Sequence, residues 1–152
     1  MVRRRHSTDS RQYDEWLECS GEDLMAANVL RQDDRCYAAA AFHCQQSVEK
    51  ALKAYILLES GQLCDGHNLV WLCKRAMRYD RRFADWIDES ARLSSCYIET
   101  RYPSDNAPEY TYRRVRDAYH MARDMFRFIF SQVDAHFEEP DEEGQDEKQK
   151  NG

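Results

Sequence analysis

Apolar residues in this chain recur at intervals of three and four rather than alternating, and that period commits most of it to amphipathic helices. Five segments carry the pattern. From Tyr13 to Gln32 the stripe is Trp16, Leu17, Leu24, Ala27 and Leu30, with Gly21 weakening the helix without breaking it. From Arg35 to Ser60 it is Ala41, Cys44, Val48, Leu52 and Tyr55, and Gly61 follows as a natural left-handed stop. A third segment, His67 to Tyr79, turns Leu69, Leu72, Cys73 and Ala76 inward. A fourth, Phe83 to Tyr97, uses Trp86, Ile87, Ser90, Leu93 and Tyr97. The run from Arg101 to Pro108 then interrupts the period, because a proline lacks a backbone donor and disfavours helix at the residue before it. The last segment, Glu109 to Phe137, repeats Tyr112, Val115, Ala118 or Tyr119, Ala122, Phe126, Ile129 and Val133. The expected fold is all-α, an antiparallel up-and-down helical bundle of about five helices with the second and fifth as its spine.

A length of 152 residues with 42% apolar content suits one domain around one core. Residues 1–11 read as a disordered basic arm, 12–137 as the helical domain, and 138–152 as a disordered tail in which seven acids outnumber two lysines. That tail holds most of the formal charge of −6, so global charge gives no argument for nucleic acid and any polyanion site is a local patch. The basic opening is followed by no apolar stretch, and no run is long enough to span a bilayer, so a cytoplasmic location is expected. Six cysteines without a CxxC pair read as reduced thiols. Cys64 and His67 offer two ligands where zinc needs three or four, so neither a metal nor a cofactor is expected.

Polar residues on the second segment are informative. His43, Gln46, Lys50 and Lys53 share one face at helical spacing, which is either a cluster of donors for an anion or an ordinary solvated surface. Gln45 and Glu49 adjoin the apolar stripe, where a carboxylate needs partners; His67, Arg75 or a tyrosine hydroxyl are the candidates. That reading makes Glu49 a packing determinant. Arg101 and Tyr102, on a proline-braced loop, are suited to gripping a phosphate and a base. Alternatively Arg101 caps the fourth helix or pairs with an acid such as Glu49.

Three blocks together resemble the HEPN domain family, found in prokaryotic nucleotidyltransferase-associated proteins and elsewhere. They are the stretch from Ala41 to Ala54, His67-Asn68-Leu69 at the start of the third helix, and the stretch from Tyr97 to Pro103, in the family's order. The resemblance covers residues 13–137. It implies a bundle that usually dimerises, a minimal nucleotidyltransferase as partner in a toxin–antitoxin-like system, and nucleotide or RNA as ligand. Other branches of the family are metal-independent ribonucleases that use an Arg roughly four to six residues before a His. Here Arg114 precedes His120 with five residues between them and Arg113 with six, while Val115 replaces the usual polar residue after the Arg. In that reading His120 moves protons while Arg114 stabilises charge on the phosphate. A structural dimer that contacts only another protein is the remaining alternative.

Overall fold

The computed structural model describes residues 9–138, so the basic arm and the acidic tail lie outside the described residues apart from 9–11 and 138. Six α-helices follow one another: α1 (Tyr13–Leu30), α2 (Tyr37–Ser60), α3 (Leu69–Ala76), α4 (Ile87–Ser94), α5 (Cys96–Arg101) and α6 (Tyr112–Phe137). Two 3-10 turns, Asp34–Cys36 and Arg81–Trp86, precede α2 and α4, and there is no strand among the described residues. The all-α bundle expected from the apolar period is the observed architecture. None of the described helices is long and apolar enough to cross a membrane.

The central helix is α2, with α1 and α6 packed along it and α3 and α5 against other parts of its surface. The seam with α1 is built from small side chains. Ser20 donates to the Ser47 carbonyl at 2.6 Å, and Ala40 and Ala54, each seven residues from Ser47 and so on the same face, are fully buried. Larger residues fill the rest of the core: Leu52, Ile56, Leu69, Leu72, Met125 and Ile129 are all buried. One end is aromatic, with Phe83 packed 4.7 Å from Tyr55 and 5.0 Å from Phe128.

Three local expectations need correction. On α1, Trp16 and Leu30 are only partly buried, whereas Ser20 and Asp23 face inward, because close approach to α2 demands small or hydrogen-bonded groups there. The fourth segment is not one helix. It opens as a 3-10 turn, becomes α4, pauses at Ser95 and resumes as α5, which carries the helix on to Arg101. Arg101 therefore sits in the last helical turn rather than in the loop, and Tyr102 is the first extended residue, as the following Pro103 requires. Finally, α6 begins at Tyr112 instead of Glu109, because Thr111 is the residue able to cap it; its hydroxyl accepts from the Arg114 N–H at 3.2 Å. Gly61 ends α2 with a φ of 72°, as expected.

Candidate functional site

Glu49 lies in the middle of α2 and is almost wholly buried. One carboxylate oxygen accepts from Gln45 Nε2 at 3.2 Å and from His67 Nδ1 at 2.8 Å. The other accepts from Lys53 Nζ at 3.2 Å. Three donors thus offset the cost of removing the charge from water. Because an ionised carboxylate only accepts, His67 carries a proton on Nδ1. Gln45 also donates to the His67 carbonyl at 3.2 Å, so α2 fixes both the ring and the backbone of the loop that leads into α3.

The His67 ring then stacks on Tyr97 of α5, with centroids 4.2 Å apart and planes 14° from parallel. One turn later, Arg101 donates to the Tyr97 hydroxyl. Its guanidinium lies over the Tyr97 ring at 5.0 Å and the Tyr102 ring at 5.6 Å. The three sequence blocks around Gln45, His67 and Arg101 are therefore joined by a continuous set of contacts. Among the described residues Arg101 has no carboxylate partner, and Glu49, one of its expected partners, is taken up by others. Arg101 and Tyr102 line a groove of about 580 Å³ together with Arg35, Tyr37, Glu99 and Tyr110. That volume is within the usual range for small-molecule sites.

The expected donor face of α2 is divided. His43 Nδ1 and Lys50 Nζ both reach Asp23 of α1, at 2.8 and 2.6 Å. Gln46 donates to the Gln45 side chain at 2.7 Å. Lys53 is buried with Glu49 and is not on the exposed surface at all. Phe42 stands between this group and the Arg101 groove, its ring 5.8 Å from His43 and 6.2 Å from Tyr97.

Arg114 and His120 are not brought together within the chain. Arg114 bonds Glu99 at 2.7 Å and lies 4.2 Å over the Tyr110 ring, while Tyr110 donates to the same Glu99 oxygen at 2.8 Å. Burial pushes the Tyr110 phenol upward, with help from the buried Cys96 thiol and Glu99, and keeps it a donor. Partial burial works against the Arg114 charge, but the Glu99 hydrogen bond and neighbouring charges outweigh it and hold its proton more tightly than usual. His120 is exposed, its nearest aromatic neighbour being Tyr119. Six residues of helix turn it about 120° around α6 from Arg114.

Asp23, Glu99 and Tyr110 are not among the candidates that sequence reasoning offers. Asp23 has a signal, since Ser20, Asp23 and Ala27 form a small and polar row at helical spacing. Glu99 and Tyr110 have none, because they meet only through the path of the intervening proline-containing loop.

A family model described as the HEPN domain matches residues 13–133. Among solved structures, TT1696 from Thermus thermophilus is similar, with 28% identity and a TM-score of 0.70 over 80% of this chain and 98% of that one. ST0689, titled an archaeal HEPN homologue, has 24% identity and a TM-score of 0.63 over the same shares, a likeness of fold alone. No curated protein matches. With the domain model spanning most of its length, the chain belongs to the HEPN domain family.

Proposed function

We propose that this HEPN protein binds the phosphate and base of a nucleotide or RNA through Arg101 and Tyr102. In this reading it acts as a homodimer beside a minimal nucleotidyltransferase, in a toxin–antitoxin-like pair, and needs no catalysis of its own. One observation carries the reading: the Arg101 guanidinium lies over two tyrosine rings in the groove and has no carboxylate within ion-pair distance among the described residues, although Asp34, Glu99 and Glu109 also line that groove. A planar fork already fixed in place loses little freedom when it meets a phosphate. Tyr102, 60% exposed, offers a free face on which a base can stack. Glu49 and His67 act through Tyr97 as positioning residues. His43, Gln46 and Lys50 form the flanking edge beyond Phe42, with Asp23 moderating their charge.

Calorimetric titration with mononucleotides and short single-stranded RNA tests this directly. Arg101→Ala is expected to weaken binding about tenfold to a hundredfold, the effect of losing a hydrogen bond to a charged group. Wild-type protein that binds none of these ligands, together with unchanged partner association in Arg101→Ala, would contradict the reading. Light scattering that returns a monomer mass would contradict its dimer component. A ribonuclease built on Arg114 and His120 ranks behind it, because Glu99 occupies Arg114 and His120 faces elsewhere. RNA cleavage in the presence of chelator that is lost in His120→Ala would reverse that order.

A further inference from the structure

A second cavity, of about 250 Å³, opens between α4, α5 and the first turns of α6 and shares no lining residue with the Arg101 groove. Arg92, Arg113 and Arg114 line it, with the buried Cys96 and Ala118 beneath and Asp117 as its acid. Arg114 is matched by Glu99 at 2.7 Å, and Asp117 by Arg116 at 3.0 Å. Arg92 and Arg113, from different helices, have no side-chain hydrogen bond or ion pair among the described residues. Two uncommitted guanidiniums facing one concavity repel each other unless an anion lies between them.

The sequence of α6 adds a second argument. Its first turn contains no acid, and Arg113 and Arg114 follow directly on Tyr112. Basic residues at that end oppose the helix dipole, so their position there costs stability rather than supplying it. Such a local conflict is expected where a site is built.

We propose that this cavity binds a terminal phosphate monoester, with Arg92 and Arg113 closing on its oxygens. Two unmatched positive charges suit a group of charge about −2, which a phosphodiester does not reach. A floor of buried side chains receives the end of a ligand and not a strand running through. The proposal goes beyond the Arg101 reading and does not depend on it.

The test titrates the full chain with inorganic phosphate, with sulfate, and with one short oligonucleotide in 5′-phosphorylated and 5′-hydroxyl forms. Arg92→Ala and Arg113→Ala, both at exposed positions, are each expected to weaken phosphate binding about tenfold. Arg78→Ala, at an exposed position that lines neither cavity, leaves it unchanged. Binding of the 5′-phosphorylated end tightens from about pH 5 to about 7, as the monoester's second proton leaves near pH ~6, and inorganic phosphate follows at higher pH, while sulfate binding shows no such rise. Preference for the phosphorylated oligonucleotide identifies a nucleic-acid end as the source; equal binding of the two forms, with phosphate still bound, identifies a free small phosphate. No saturable phosphate binding, binding unaffected by Arg92→Ala and Arg113→Ala, or identical pH profiles for phosphate and sulfate would overturn the proposal.

Discussion

Replacing Glu49 by alanine is expected to lower the unfolding free energy by about 3–5 kcal/mol, the usual effect of removing one partner of a buried ion pair. The magnitude follows from what is left behind. Lys53 is only 6% exposed and would be left in the core without its carboxylate partner. Gln45 and His67 would each lose an acceptor. The change should therefore loosen the entrance to α3 and the stacking of His67 on Tyr97 as well. Denaturant unfolding measures the first effect, and weaker nucleotide binding by a variant altered far from the ligand measures the second. Glu49→Leu combined with Lys53→Met should recover most of the lost stability, because apolar replacement of both charges removes the unpaired remainder. A loss below about 1 kcal/mol for Glu49→Ala would mean that the carboxylate is not holding these groups.

Phe83→Ala is expected to cost a similar amount, about 3–5 kcal/mol, through lost burial and the cavity created. Phe83 is fully buried although it lies on a 3-10 turn, not on a long helix. Its ring joins Tyr55 of α2 to Phe128 of α6, and its carbonyl accepts from the Cys73 thiol at 3.2 Å, so one short turn ties three helices together. Phe137→Ala provides the control. That residue is 58% exposed at the end of α6, and its loss should stay within about 0.5 kcal/mol. Comparable destabilisation of the two variants in thermal unfolding would contradict the core described here.

The legibility of each element in the sequence follows from how it packs. Helix α2 is clear because it is long, strongly patterned and closed by a glycine whose left-handed conformation the structure retains. A partner of Glu49 is also foreseeable: a carboxylate beside an apolar stripe has to find donors, and His67 is among the few available. Helix α1 misleads in detail, because of the expected apolar stripe only Ala27 is fully buried, while Ser20 and Asp23, which apolar periodicity does not mark, make the hydrogen bonds to α2. The pause at Ser95 is invisible, since no proline or glycine marks it and the apolar spacing runs through it.

Within the site, the same distinction applies. A pair one helical turn apart inside a clearly patterned helix, such as Glu49 with Lys53, can be read from spacing alone, whereas Tyr97 with Arg101 cannot, because the sequence puts Arg101 in the loop. The division of His43 and Lys50 from Arg101 cannot, because it depends on an aspartate supplied by another helix. Nor can the Glu99 contact with Tyr110 and Arg114, which forms only once the loop has brought α5 against α6. Residues whose partners lie on distant elements are recognisable as candidates by their chemistry, and only the fold assigns them neighbours.

The central claim is that Arg101 and Tyr102, held in place through Glu49, His67 and Tyr97, form the surface that receives a nucleotide. Titrating an isotope-labelled chain with a mononucleotide while following side-chain and backbone resonances tests it most directly. Saturable shifts concentrated at Tyr97, Arg101 and Tyr102 are the predicted result. Saturable shifts confined to His43, Lys50 and Asp23, or no saturable shift anywhere, would contradict it.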